Sequence, residues 1–302
     1  MKIAVTGATG FLGRYFVERF IADRHTLRCW YRPSSDRGGF EGVAERIEWV
    51  EGSLRDPESG VRLVAGCDAV VHAALDRPGE GFRGAEGDVV EFAETNVIGT
   101  LRLIEAARAA GVGRFVFVST CAVHEKILPD RPLDETHPTW STHHYGAHKA
   151  AIEQFVYSYG LGDGYSICAL RPCGIYGVAR PAEASKWFDL VRRVVRGETV
   201  ECRRGGKEVH AADVAHAAAL LLTAPAEKVA GQAFNCCDRY VSEHEVATLA
   251  AEFSGSGATV RGERTRPKNV IESGKLRSLG MTFGGEDQLR ETVRRLVEAA
   301  RG

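Results

Sequence analysis

A glycine-rich stretch near the start, Thr6-Gly7-Ala8-Thr9-Gly10-Phe11-Leu12-Gly13, restricts the fold of this chain more than any other part of it. It follows an apolar run, Lys2 to Thr6, and precedes Arg14 to Ala22, where Tyr15, Phe16, Phe20 and Ile21 recur at helical spacing. Strand, tight turn and helix in that order open a parallel α/β sheet. Gly7 suits the turn, Gly10 lets backbone approach a ligand, and Gly13 lets the helix sit close on the sheet. The unpaired amides at the helix start then face anionic groups, and a dinucleotide pyrophosphate fits that description.

Strand patterns recur at His25 to Tyr31, Ile47 to Glu51, Cys67 to Ala74, Arg114 to Val118 and Tyr165 to Leu170, with helical patterns between them. At the end of the second strand an acid would bind both ribose hydroxyls of the adenosine. Tyr31 occupies that place and Arg32 follows, suited to a 2′-phosphate, so the sequence favours NADP over NAD. Residues 76–88, rich in glycine and charge, read as a mobile loop and are expected to act as a lid. Ser242 with Glu245 three residues on forms a capping box for a late helix, and Asp213 is expected to cap the helix that runs to Thr223.

The fifth strand ends in Val118-Ser119-Thr120, and ligands of open α/β sheets gather at that edge. Some twenty-five residues later comes Tyr145-Gly-Ala-His-Lys149, whose spacing puts phenol and ammonium on one helix face, with Ser141 or Thr142 as cap. A tyrosine titrates near ~10, and a neighbouring lysine cation is expected to lower that value. Tyr145 can then exchange a proton with a substrate carbinol while hydride passes to or from nicotinamide. Thr120 is the candidate donor to the substrate oxygen, with Ser119 as the fallback. His143, His144 and His148 crowd the tyrosine without the carboxylate or cysteine that completes a known metal set, so no metal is expected.

These parts in this order resemble the extended branch of the short-chain dehydrogenase/reductase superfamily, the NAD(P)-dependent epimerase/dehydratase family. The resemblance continues through Gly52-Ser53-Leu54-Arg55-Asp56, His72-Ala73-Ala74, Asn96-Val-Ile-Gly-Thr100, Arg171-Pro-Cys-Gly-Ile-Tyr-Gly177 and Lys275-Leu276. It implies a Rossmann-type doubly wound parallel sheet with a smaller C-terminal substrate-binding region. Residues 1–172, with 208–240 returning, would hold the cofactor, and 173–207 with 241–302 the substrate. Thr9, Phe11 and Leu12 would then join the glycines at the phosphates. Ser53 stands where the family has an acid for the adenine amine, and Leu54 keeps a backbone group there. His72, Ala73 and Ala74 would pass beneath the cofactor, with His72 a structural hydrogen bonder rather than a catalyst, and Val118 would flank it. Asn96 would organise the catalytic edge, Lys149 would grip the nicotinamide ribose, and Pro172 and Cys173 would meet the carboxamide.

The resemblance also implies a homodimer pairing through helices at 101–110 and 146–159. Nucleotide-sugar epimerases of the family hold the diphosphate with an asparagine and an arginine at positions that are Gly174 and Gly206 here; Lys207, Arg203 or Arg204 would have to compensate. The leading expectation is therefore a reductase or dehydrogenase of a smaller or apolar secondary alcohol or ketone. A nucleotide-sugar 4-epimerase is the rival, and an NADP-binding sensor without turnover is the third. Dehydration is disfavoured, because no Asp-Glu pair follows Thr120.

Composition narrows the partners. A formal charge of −1 gives no pull toward polyanions, which argues against nucleic acid or an anionic membrane as the main partner. Eight cysteines without paired spacing read as cytosolic thiols. A strand beginning at residue 2 leaves no room for a signal peptide, and the longest apolar run, Ala215 to Ala224, is about half a membrane span. A soluble cytoplasmic protein is expected.

Overall fold

The computed structural model describes residues 1–77, 79 and 87–302. In chain order the strands are β1 (Lys2–Thr6), β2 (Thr26–Tyr31), β3 (Ile47–Glu51), β4 (Ala69–His72), β5 (Arg114–Val118) and β6 (Ile167–Pro172). They continue as β7 (Gly174–Tyr176), β8 (Val200–Cys202), β9 (Gly205–His210), β10 (Gln232–Cys236), β11 (Arg239–Ser242) and β12 (Val260–Gly262). Seven of them form a parallel sheet in the order β10-β6-β5-β4-β1-β2-β3. That is the doubly wound order extended by one strand, and its direction reverses between β1 and β4, where the crevice opens.

Alternation along β1 shows why the sheet is apolar throughout: Ile3 and Val5 join the core on one face and Ala4 the core on the other. Helices Phe11–Ala22 and Ala211–Thr223 cover the first face; Pro57–Val64, Gly99–Ala109 and His144–Tyr157 cover the second. A third core joins Tyr176 to helices Phe188–Val195, Glu243–Ser254 and Gly285–Arg301, beside the small sheets β11-β9-β7 and β12-β8. The Tyr15 phenol spans the first and third regions, donating to the Val178 carbonyl at 3.0 Å and accepting from its amide at 2.9 Å.

Several boundaries differ from the sequence reading. β6 starts later and runs on through Arg171-Pro172, because β10 continues beside it with Cys236 opposite Pro172. The helix expected at 101–110 starts earlier, at Gly99, and follows a π-helical turn, Glu94–Ile98. Asp213 is not a cap: the His210 ring accepts from the Ala212 amide, while the Asp213 carboxylate accepts from the Gly284 amide at 3.1 Å. The Ser242 cap is as expected, accepting from the Glu245 amide at 3.1 Å. The expected lid falls largely on 78 and 80–86, outside the described residues. Among the described residues no helix is long and apolar enough to cross a membrane.

Candidate active site

A cleft of about 1340 Å³ runs along the carboxyl edge of the main sheet, over the β1–β4 reversal. Its floor is the glycine turn. Gly7 has a φ of +74°, and a Cβ there would press the Ala73–Ala74 backbone at 3.1 Å. A Cβ on Gly13 would overlap the Gly7 carbonyl oxygen, so helix Phe11–Ala22 reaches the sheet only because that position is glycine. Gly10 is the N-cap residue and carries no side chain to cap the helix, and Phe11, Leu12 and Gly13 line the cleft with the helix's first amides. An uncapped helix start beside a cradle with no room for a Cβ fits a pyrophosphate.

Thr9, Tyr31, Arg32, Ser53, Leu54, Ala73 and Ala74 line one half of the same cleft. Arg32 is 62% exposed in its side chain and lies 3.8 Å from the Asp76 carboxylate. Ser34, Ser35 and Arg55 join it, and the Ser35 hydroxyl accepts from the Arg32 amide at 2.9 Å. The sequence reading stopped at Arg32; the Pro-Ser-Ser turn after it was the available signal for these hydroxyls.

Val118, Thr120, Tyr145, Lys149, Pro172 and Cys173 line the other half. β5 ends at Val118, and the Thr120 hydroxyl accepts from the Ala122 amide at 3.1 Å, capping the short 3-10 turn Cys121–His124. Tyr145 and Lys149 stand on helix His144–Tyr157, which is capped by neither Ser141 nor Thr142. The His143 ring does this, accepting from the Gly146 amide at 2.9 Å, while Thr142 donates to Glu125 and Ser141 to the His143 carbonyl.

The electrostatics depart from the sequence expectation. Burial raises the Tyr145 phenol above its ordinary value, opposed by a hydrogen bond with the Thr120 side chain and by the charge of Arg77. Lys149 does not lower it. The lysine is buried and donates to the Val118 carbonyl at 2.8 Å, with its Nζ 4.6 Å from the Phe117 ring centre. Burial brings Lys149 itself down to about 7, opposed by Glu153. A buried cation engaged by a carbonyl has little charge to lend near neutral pH.

Two expected site residues do not reach the cleft. Asn96 is buried, its Oδ1 accepting from the Asp76 amide at 2.9 Å and its Nδ2 donating to the Asp76 and Phe92 carbonyls. It fixes the chain where Asp76 enters the cleft wall. His72 is also buried, with Nδ1 2.6 Å from the Thr6 hydroxyl and Nε2 2.9 Å from that of Thr100. Thr6 in turn accepts from the amides of Ala73 and Ala74, so this network sets the turn beneath the cleft. The three histidines near Tyr145 diverge: His143 caps the helix, His144 is exposed, and His148 packs edge-on to Phe92 with a centroid distance of 4.9 Å. Burial takes His148 down to about 2. Every cysteine is a free thiol, yet Cys121 and Cys173 line the cleft and Cys173 hydrogen-bonds with Cys237.

Behind the cleft lies a network that the motifs did not reveal. Arg171 and Glu153 are both fully buried, and the guanidinium reaches both carboxylate oxygens at 2.9 and 2.5 Å. Ser119 donates to the same carboxylate at 2.5 Å, and Arg171 also donates to His124 Nε2 at 3.1 Å. Burial lowers His124 to about 4, which leaves its ring neutral and able to accept. The strand end that carries Thr120 is therefore fixed on both sides.

A family model described as the NAD dependent epimerase/dehydratase family matches residues 3–237. A 4-hydroxy-2-methyl-3-oxo-4-farnesyl-3,4-dihydroquinoline-1-oxide ketoreductase of Stigmatella aurantiaca is 32% identical over 194 residues, 64% of this chain and 55% of the relative. A 2-alkyl-3-oxoalkanoate reductase of Stenotrophomonas maltophilia is 31% identical over 243 residues, 78% of this chain and 69% of the relative. The matches thus span little more than half of the first relative and about two thirds of the second. Among solved structures, the UDP-glucose 4-epimerase of Thermus thermophilus in complex with NAD superposes with a TM-score of 0.76 at 26% identity, covering 100% of this chain and 99% of that one.

Proposed function

The chain belongs to the NAD dependent epimerase/dehydratase family, and we propose that within it the protein is an NAD(P)-dependent oxidoreductase of a secondary alcohol or ketone. One observation carries this reading: Thr120, Tyr145 and Lys149 line a single cleft with the glycine turn, and the Tyr145 phenol hydrogen-bonds with Thr120. A nicotinamide dinucleotide, when bound, supplies or accepts the hydride. Thr120 holds the substrate oxygen in line with the phenol. Tyr145, kept protonated by its burial, delivers a proton to that oxygen as the alcohol forms, and takes it back in the oxidative direction. Lys149 fixes the helix turn against β5 and grips the ribose. Amides of the glycine turn hold the pyrophosphate, and the Pro172 and Cys173 backbone meets the carboxamide.

NADP is the favoured cofactor, because Arg32, Ser34 and Ser35 all line the cleft, a cation and two hydroxyls suited to a 2′-phosphate. Residues 173–207 and 241–302 form the substrate side. The two named reductases act on ketone substrates by their descriptions, and the apolar lining from Ile127, Leu133, Ile175 and Ile271 suits a substrate of that kind. A nucleotide-sugar 4-epimerase is the second reading, supported by the full-length similarity to the Thermus thermophilus enzyme. Exposed Phe155 on helix His144–Tyr157, and exposed Ile98 just before helix Gly99–Ala109, support a homodimer through these two helices; light scattering tests the pairing.

The chemistry is tested with Tyr145→Phe. Turnover should fall about 10²–10⁴-fold while NADPH binding survives, and near-normal turnover would remove the assigned acid. A reductase consumes reduced cofactor in proportion to ketone, whereas an epimerase shows no net absorbance change.

A further inference from the structure

Part of the apolar lining of the cleft comes from a stretch outside every named helix and strand, 125–143, between the 3-10 turn Cys121–His124 and helix His144–Tyr157. Ile127 and Leu133 line the cleft from it, with the exposed turn Pro129-Asp130-Arg131-Pro132 between them. Backbone groups in such a stretch need hydrogen-bond partners from outside a helix or sheet ladder. His137 supplies two of them. Its ring is 1% exposed, with Nε2 accepting from the Leu128 amide at 3.0 Å and Nδ1 donating to the Pro132 carbonyl at 3.1 Å. An amide only donates and a carbonyl only accepts, so the imidazole is neutral with its proton on Nδ1. The first of these peptides follows Ile127 and the second precedes Leu133. One buried ring therefore clips together the two ends of the turn and fixes the separation of the two wall side chains.

The Leu133 side of the clip is anchored to the body of the protein. Leu133 pairs in an isolated parallel bridge with Ile271, itself a lining residue, and the Glu272 amide donates to the Leu133 carbonyl at 3.0 Å. Glu135 accepts from the Asn235 amide at 2.8 Å, which ties the same stretch to β10. On the other side the Lys126 amide donates to the Trp140 carbonyl at 3.0 Å, and the imidazole refers Ile127 to the anchored Leu133. The His137 ring is backed by the His124 ring, set steeply to it with centroids 5.8 Å apart.

Resting on the oxidoreductase reading, we propose that His137 is a positioning residue for substrate selection, holding Ile127 and Leu133 at the separation that receives the apolar chain of a ketone. His137 does not itself line the cleft, so it acts on which ketone binds and not on the transfer of hydride or proton.

Steady-state reduction of 2-butanone and 2-nonanone with NADPH, in the wild type, His137→Ala and His137→Gln, tests this. Each methylene withdrawn from apolar contact is worth about fourfold in binding, so freeing two of them costs more than about tenfold. In His137→Ala the preference for 2-nonanone over 2-butanone in kcat/KM should fall at least tenfold, with the loss in KM and with kcat within threefold of wild type. Glutamine carries both a donor and an acceptor, and His137→Gln should bring the preference back to within threefold. An unchanged preference in His137→Ala, a loss shared equally by the two ketones, or a loss in kcat instead of KM would overturn the proposal and leave the oxidoreductase reading standing. A wild type that reduces no ketone would overturn that reading instead, and the wall is then read without turnover. Calorimetric titration of the NADP complex with 1-octanol should give a dissociation constant at least tenfold weaker in His137→Ala and restored in His137→Gln; equal constants, or no binding by the wild type, would overturn the proposal. Leu133→Ala covers the case in which His137→Ala does not fold. It keeps both imidazole hydrogen bonds and removes the wall, so it should lose the same chain-length preference, and a Leu133→Ala enzyme that still prefers 2-nonanone as the wild type does would remove the role given to this wall.

Discussion

Removing the Arg171 guanidinium tests what holds the catalytic strand end. Arg171→Met deletes the partner of a fully buried carboxylate and leaves Glu153 with the Ser119 hydroxyl. Breaking a buried pair from one side costs about 3–5 kcal/mol, because the surviving charge stays desolvated. His124 Nε2 and the Tyr157 hydroxyl lose a donor in the same step, which places the expected cost in the upper half of that range. At about 2 °C per kcal/mol for a chain of this size, the melting midpoint should fall by about 8–10 °C. Urea unfolding of Arg171→Met, Glu153→Met and the double variant measures the coupling. The double variant should be less destabilised than either single one, since two apolar side chains replace two charges. A single variant within about 1 kcal/mol of wild type, or a double variant equal to the sum, would refute the view that charge burial dominates here.

Three more outcomes are expected. Arg32→Ala should weaken NADPH at least tenfold and NADH less than threefold in fluorescence titrations, and equal losses would remove the 2′-phosphate assignment. Lys149 titrates at about 7 when folded against an ordinary 10.5, so between those values the unfolded chain holds a proton that the folded one has released, and stability rises with pH across that window. Between pH 7 and about 9.5 the wild type should gain urea resistance relative to Lys149→Met, and parallel profiles would contradict the burial argument. Gly13→Ala places a methyl group on the Gly7 carbonyl, so cofactor binding should be lost with a clear drop in melting midpoint; a fully active variant would show that the helix can shift without consequence.

The features legible in the sequence were those set by local spacing. Gly7, Gly10 and Gly13 announce a turn by their own intervals, and Tyr145 and Lys149 share a helix face by theirs, and both groups line the cleft. Residues far apart in the chain that meet only through tertiary packing stayed hidden. Arg171, Glu153 and His124 come from a strand, a helix and a 3-10 turn, and Glu208 on β9 meets Lys186 from the segment just before helix Phe188–Val195. Asn96 was matched by motif, but motif position does not say whether a side chain points to the ligand or to the chain that frames it. The direction of the Tyr145 shift was missed for a related reason: the spacing of the pair says nothing about how deeply each side chain is buried.

The paired hydrogen bonds of Tyr15 with Val178 have a mechanical consequence. One phenol ties the helix that rises from the glycine turn to the segment that follows β7, and it does so as both donor and acceptor. Neither part can slide past the other without breaking two hydrogen bonds at once. Any widening of the molecule to admit a ligand has to pivot about this rivet, and strain arriving at one end of the cleft is carried to the other.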